Sequence, residues 1–255
     1  MNAPQAAPPN EGNLIQRRFA AAAAHELHTP LAGLRAELEE ARLHPGQTDL
    51  PRLLDAALRG VERLEAITAD LLLLTRIAEG VHVRHRPVDL SAVARAHVAG
   101  TVGGPDVRLR AAAPVVVDAA PALLDRLVAN LLDNARRHAR RSVRIRVLRR
   151  GTTAELIVTD DGPGIPAPDR EHVFEPFFRL DSARCRQRGG TGLGLAIARD
   201  IALAHNGTLT IEDAEDVEDA GSAQNTGSAE NAGNADAGAR LVLRLPLARH
   251  ATDRP

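Results

Sequence analysis

The chain has 255 residues, 44% of them hydrophobic and 25% charged, which suits one large or two small soluble globular domains and excludes a fibrous or wholly disordered protein. A net charge of −1 gives no pull toward nucleic acid or an anionic membrane. The single cysteine, Cys185, excludes an internal disulfide, no apolar run nears the roughly 20 residues of a membrane span, and the amino terminus lacks a signal peptide's basic start and apolar core, so a soluble cytoplasmic protein with no membrane segment is expected.

Residues 1–13, rich in Pro, Ala and Asn, are expected to be a disordered tail. From Leu14 to His44 the pattern is helical, with Leu27, Leu31, Leu34 and Leu38 forming a heptad seam. Pro45 and Gly46 break that helix, and a second runs from about Asp49 to Glu79 with Leu54, Val61, Leu64 and Leu71 on one stripe. Such a hairpin, residues 14–80, holds too little core alone and is expected to pair with a second copy as a four-helix bundle.

A connector at 81–87 leads to a mixed α/β region at 88–248, followed by a tail at 249–255. Short β-rich runs, "VRLRA", "APVVVDA", "SVRIRVLRR", "TAELIVTDD", "GTLTIE" and "ARLVLRLPL", alternate with helical patterns at Leu90–Ala99, Pro121–His138 and about Gly192–His205. The expected architecture is a sheet covered on one face by three helices, an α/β sandwich. Between its last two strands, residues 212–238 are acidic and then an imperfect repeat of Gly, Ser, Ala and Asn, the composition of a disordered loop insertion.

Within the first helix, "HELHTPL" sets His25 beside Glu26. A zinc protease needs H-E-x-x-H, and the fourth position after His25 is Thr29, so the second ligand is missing. At about 100° per residue, His25 falls roughly 150° from the centre of the leucine seam and is expected on the exposed face. Pro30 cannot donate to the carbonyl of Glu26 and crowds it, which predicts a bend just after the pair. An exposed imidazole beside a carboxylate is suited to accept a group, because Glu26 can hold the proton of one ring nitrogen and leave the other nucleophilic.

The α/β region carries candidate nucleotide-binding stretches. "NLLDNARRHA" places Asn130 and Asn134 one helical turn apart, with Arg137 and His138 on the next; amide oxygens suit Mg²⁺ and the basic groups suit phosphate. "TDDGPGIP" ends a strand at Asp160, then turns through Gly162 and Gly164, where a carboxylate can accept from an adenine amino group. "RGGTGLGLA", with Gly190, Gly192 and Gly194, runs into a helix whose first amides can cradle phosphates. Between these loops fall three of the four phenylalanines, Phe174, Phe177 and Phe178, with Arg179, the makings of a lid with apolar anchors and a cation.

In this order "HELHTPLAGLRAE", "NLLDNA", "DDGPGIP", "VFEPFFR" and "GGTGLGLAIA" resemble the H, N, G1, F and G2 boxes of sensor histidine kinases of two-component systems, over nearly everything from Phe19 to Leu247. The resemblance implies a dimeric helical-hairpin phosphotransfer domain and a Bergerat-type ATP-binding domain. It implies that His25 is the phosphoacceptor, Glu26 its acid/base partner, Asn130 the Mg²⁺ ligand, Asp160 the adenine reader and Arg179 a lid residue toward the γ-phosphate. ATP and Mg²⁺ are the implied cofactors and a response regulator receiver domain the implied partner. Thr29 completes the E-x-x-T pattern associated with phosphatase activity toward that regulator.

His28 stands where this family generally has Arg or Lys, and Arg137 where Lys is frequent. Little sequence precedes His25, so the expectation is that input comes from a separate sensor protein or that the chain belongs to a longer one. Rival readings are a non-kinase ATPase of the same superfamily, against which the His-Glu-x-x-Thr-Pro stretch argues, and a silent kinase acting as scaffold or regulator phosphatase.

Overall fold

A computed structural model describes residues 11–80, 84–99, 103–111, 113–180, 190–213 and 238–248, with side chains from Phe19 onward. Of the amino-terminal stretch expected to be disordered, residues 1–10 lie outside these residues, as do Cys185 and most of the 212–238 insertion; residues 11–13 correct that expectation, since they form the first turn of a helix that begins at Glu11. The chain divides after Thr75 into two units.

The first unit is built on α1 (Glu11–Leu43) and most of α2 (Leu50–Ala78). The turn between them is closed by the Thr48 hydroxyl, which donates to the carbonyl of His44 at 2.9 Å. Ala, Leu, Arg and Glu dominate both helices, all strong helix formers. Gly60 of α2 lies against Leu34 of α1, where a Cβ would stand in ordinary van der Waals contact at 3.6 Å. The sequence stripes divide between two faces. Leu27, Leu34 and Leu64 are half-buried, whereas Leu31, Leu38, Leu54 and Val61 are exposed, so the expected single seam on each helix is split. Helix α1 continues through Pro30.

The second unit opens with β1 (Arg86–Asp89), a strand that falls partly in the expected connector. It pairs antiparallel with β3 (Val116–Ala119) as a separate two-stranded sheet. Asp89 ends β1 and caps α3 (Leu90–Ala99): its Oδ1 accepts from the amides of Ser91 at 2.9 Å and Val115 at 3.1 Å. The main sheet contains β2 (Asp106–Ala111), β4 (Ser142–Arg150), β5 (Thr153–Asp160), β6 (Thr208–Glu212) and β7 (Arg240–Pro246) in the order β2-β4-β5-β7-β6. Only β2–β4 is parallel, and helix α4 (Pro121–His138) precedes β4 in the chain. Helix α5 spans Gly194–Ala204, two residues later at its start than the glycine pattern predicts, because Gly192 takes a left-handed φ of 70° that a helix cannot hold.

Register sorts the side chains. Ile145, Val158 and Leu241 lie side by side across the strands, as do Val147, Leu156 and Leu243, and all are buried. Leu124, Leu127, Val128, Leu131, Ile197 and Ile201 supply fully buried helix residues to the same unit. The result is the expected sheet with α3, α4 and α5 packed on it. Asp160 is two residues beyond Val158, hence on the same sheet face, opposite Val143. A carboxylate is thereby carried into the layer between sheet and helices.

Candidate functional site

His25 is exposed on α1, as the heptad phase predicts, and Glu26 is half-buried beside it. The Thr29 hydroxyl donates to the His25 carbonyl at 3.0 Å, one turn back along the helix. Pro30 has no amide to offer the Glu26 carbonyl, so the backbone here has one fewer helical hydrogen bond.

In the second unit, Asp160 is 3% exposed. Its Oδ1 accepts from the amides of Gly162 at 2.8 Å and Ala239 at 3.3 Å, while Oδ2 is buried and has no partner among the described residues. Burial pushes its carboxyl above the ordinary 3.8, the two amides pull it down, and the neighbouring Asp161 charge pushes it up again. A buried, unpaired acceptor of this kind is costly unless something meets it.

Asp161, the neighbour to which the sequence assigns no role, has the opposite surroundings. Its carboxylate accepts from the amides of Arg140 at 2.7 Å, Arg141 at 3.0 Å and Ser142 at 3.1 Å. Burial raises it, yet these donors together lower its pKa to about 2. Asp161 fastens the end of α4 to the start of β4, whereas Asp160 keeps one carboxylate oxygen without a partner among the described residues. The dipeptide was visible in the sequence, but which carboxylate is satisfied depends on the loop that reaches it.

Asn130 is buried on α4, and its Nδ2 has no partner among the described residues. Its Oδ1 lies 3.8 Å from where a Cβ on Gly194 would stand, which brings α4 against the first turn of α5. Asn134 and His138 are half-buried on the same helix and Arg137 is exposed. A Cβ on Gly190 would fall on the Arg137 guanidinium, and one on Gly162 would meet the His138 carbonyl at 2.5 Å. Gly164 and Gly192 take φ of 73° and 70°, conformations that side chains disfavour. The fold therefore gathers Asn130, Arg137, His138, Asp160 and the glycine loops at one end of the sheet, although they are spread over more than 60 residues of chain.

Phe174 is 5% exposed, with the Arg199 guanidinium 4.9 Å above its ring. Phe177 holds a left-handed φ of 68°, and its amide donates to the Gly192 carbonyl at 3.0 Å. The aromatic segment is thus tied directly to the second glycine loop, and half-buried Arg179 follows two residues later. Residues 181–189, the remainder of the expected lid, lie outside the described residues.

Two family models match the chain: the His Kinase A phospho-acceptor domain over residues 15–80 and the histidine kinase-, DNA gyrase B- and HSP90-like ATPase over residues 119–249. The chain belongs to the sensor histidine kinases of two-component systems. It is similar to a probable sensor histidine kinase, TcrY, of Mycobacterium tuberculosis, 40% identical over 209 residues that cover 78% of this chain and 43% of that protein. It is also similar to the histidine-protein kinase/phosphatase MprB of Mycobacterium avium, 39% identical over 215 residues that cover 78% of this chain and 40% of that protein. The chain thus spans less than half the length of these curated relatives. Among solved structures, the Acinetobacter baumannii histidine kinase AdeS shares the fold at a TM-score of 0.62 and 21% identity, covering 88% of this chain and 98% of that one. As a member of this family the chain carries an ATP-binding domain. Among the described residues no helix is long and apolar enough to cross a membrane.

Proposed function

We propose that the chain is an ATP-dependent protein-histidine kinase that autophosphorylates on His25 and passes the phosphoryl group to an aspartate of a response regulator receiver domain. Residues 14–80 serve phosphotransfer and dimerisation, and the unit that begins with β1 at Arg86 and runs to 248 binds ATP. The observation that carries this reading is a pair of buried polar atoms without partners among the described residues, Asp160 Oδ2 and Asn130 Nδ2, in a chain whose other unit exposes His25 beside Glu26.

Asp160 Oδ2 has the right chemistry to accept from the adenine amino group, with Gly162 and Gly164 allowing close approach. The Asn130 Oδ1 would hold Mg²⁺, which would supply charge neutralisation on the phosphates, while its Nδ2 has the chemistry to donate to a phosphate oxygen. Asn134, Arg137, His138, Arg179 and the amides at Gly190, Gly192 and Gly194 serve the phosphates, and Phe174 anchors the lid. A ring nitrogen of His25 then attacks the γ-phosphorus in line: an N–P bond forms, the bond to the bridging oxygen breaks, ADP leaves with the electron pair, and Glu26 takes the ring proton. Positioning and charge neutralisation do most of the work.

The exposed leucines of the hairpin support a homodimer, since Leu31, Leu38, Leu54 and Leu58 are 48–60% exposed on helices that otherwise carry charge. A phosphatase step on the regulator, with Thr29 orienting a water, is the second reading. It is favoured by the exposed Thr29 hydroxyl one turn from His25 and by the relative named as a kinase/phosphatase.

Incubation with Mg-ATP labelled in the γ position is expected to give an acid-labile, base-stable phosphoprotein, and His25→Gln is expected to give none. Equal labelling of parent and variant would refute the phosphoacceptor assignment.

A further inference from the structure

The proposed adenine reader is held from two sides, and one of them lies far along the chain. Gly238 and Ala239 stand where the polar insertion ends, immediately before β7. The Asp160 amide donates to the Ala239 carbonyl at 3.1 Å, and the Ala239 amide donates to Asp160 Oδ1 at 3.3 Å. Residue 239 thus grips both the backbone and the carboxylate of residue 160. Gly238 permits the approach: a Cβ there would fall on the Asp160 carbonyl and stand 2.6 Å from the Gly162 amide nitrogen. Its backbone does not need a left-handed φ, so the requirement for glycine is one of space alone. With Gly162 donating to the same Oδ1, one carboxylate oxygen is met by two backbone donors, which oppose rotation of the group. Oδ2 is the oxygen left over, buried and without a partner among the described residues.

We propose that Gly238 and Ala239 are positioning residues for nucleotide-base selectivity: they hold Asp160 so that Oδ2 alone accepts from the exocyclic amine of the base. This rests on the reading of Asp160 as adenine reader. It places one half of the selectivity device on the segment entering β7, beyond the glycine loops. The feature was invisible in the sequence because Gly238 sits at the end of a repetitive Gly-Ala-Asn stretch, where one more glycine carries no signal.

The test compares ATP with ITP, in which a carbonyl oxygen replaces the amine, by binding titration on the full chain. The parent is expected to prefer ATP by at least about tenfold, the scale of one charge-assisted hydrogen bond. Ala239→Pro removes the amide donor and keeps the carbonyl; Gly238→Ala pushes the segment off Asp160. Either is expected to weaken ATP about tenfold and to leave ITP nearly unchanged, collapsing the ratio toward one. Apo unfolding curves show which variants fold, and either folded variant suffices. A parallel loss for both nucleotides, or an unchanged ratio, overturns the proposal. A parent that binds ATP and ITP equally overturns the adenine reading beneath it instead.

Discussion

Asp160 and Asp161 are adjacent in sequence and alike in chemistry, yet the fold gives them opposite tasks. Asp161 points where three backbone amides converge, so its charge is met and its pKa falls to about 2. Asp160 is buried with one oxygen unmatched among the described residues, and its pKa rises. The first arrangement stabilises the fold; the second costs stability until a donor arrives. Asp161→Ala is therefore expected to destabilise the ATP-binding unit by about 2 kcal/mol, the scale of losing hydrogen bonds to a charged group. The sign with pH follows from linkage. Because the folded pKa of about 2 lies below the ordinary 3.8, the contribution is complete above about pH 4 and is lost as pH falls through about 2. Urea unfolding of parent and variant between pH 5 and pH 2.5 is expected to show two curves that converge toward the acid end. Curves that stay parallel would mean that Asp161 contributes nothing through its charge.

At the scale of elements, α4 and α5, the helices that carry or adjoin the proposed nucleotide residues, are joined at their far ends by one imidazole. His205, just past the end of α5, is 4% exposed. Its Nδ1 donates to the Ile201 carbonyl at 2.7 Å, and its Nε2 accepts from the amide of Ala120, the N-cap of α4, at 3.0 Å. Only the neutral ring with its proton on Nδ1 serves both partners. His85 stacks on it at 4.7 Å. Burial holds the pKa below the ordinary 6.5 and His85 adds to that, against the Ile201 carbonyl and Asp118, which favour the charged form. Stability from this contact is present in full above pH 6.5 and is lost as pH falls below it toward the lower folded value. A melting series from pH 7.5 to 5.5 should fall more steeply for the parent than for His205→Gln; identical slopes would remove His205 as the cause. The helices themselves were legible in the sequence, with α3 and α4 recovered at their ends, because apolar periodicity reports which face is buried. What periodicity does not report is what buries it. The leucine stripes of the hairpin read as one seam and divide into an inner row on the partner helix and an outer row in solvent. Strand β1 was missed for the same reason: four residues pairing only with β3 leave no alternating pattern to see.

At the scale of the whole chain, the candidate site was legible where local geometry demands a residue type, as at Gly192, Gly164 and the exposed face of α1. It was not legible where contact comes from a distant segment, as at Gly238, His205 and the amides that meet Asp161. The division after Thr75 has a consequence of its own, since the two units are stabilised by different things. The hairpin exposes Leu31, Leu38, Leu54 and Leu58, so its stability should depend on a second copy and hence on protein concentration. The second unit has its own buried core and a nucleotide site built on it, so its stability should depend on ATP. Ligand at 100 times its Kd adds about 2.7 kcal/mol, which for a unit of this size raises Tm by about 5–10 °C. Calorimetry is therefore expected to resolve two transitions, one moving with Mg-ATP and the other with chain concentration. At the same ATP concentration Asp160→Asn should cut the first shift to about half, the effect of a tenfold weaker Kd, and spare the second, while Leu38→Glu combined with Leu54→Glu should remove the concentration dependence and spare the ATP shift. A single transition that responds to both variables would show that the units melt as one cooperative body, and the assignment of separate stabilities would fail.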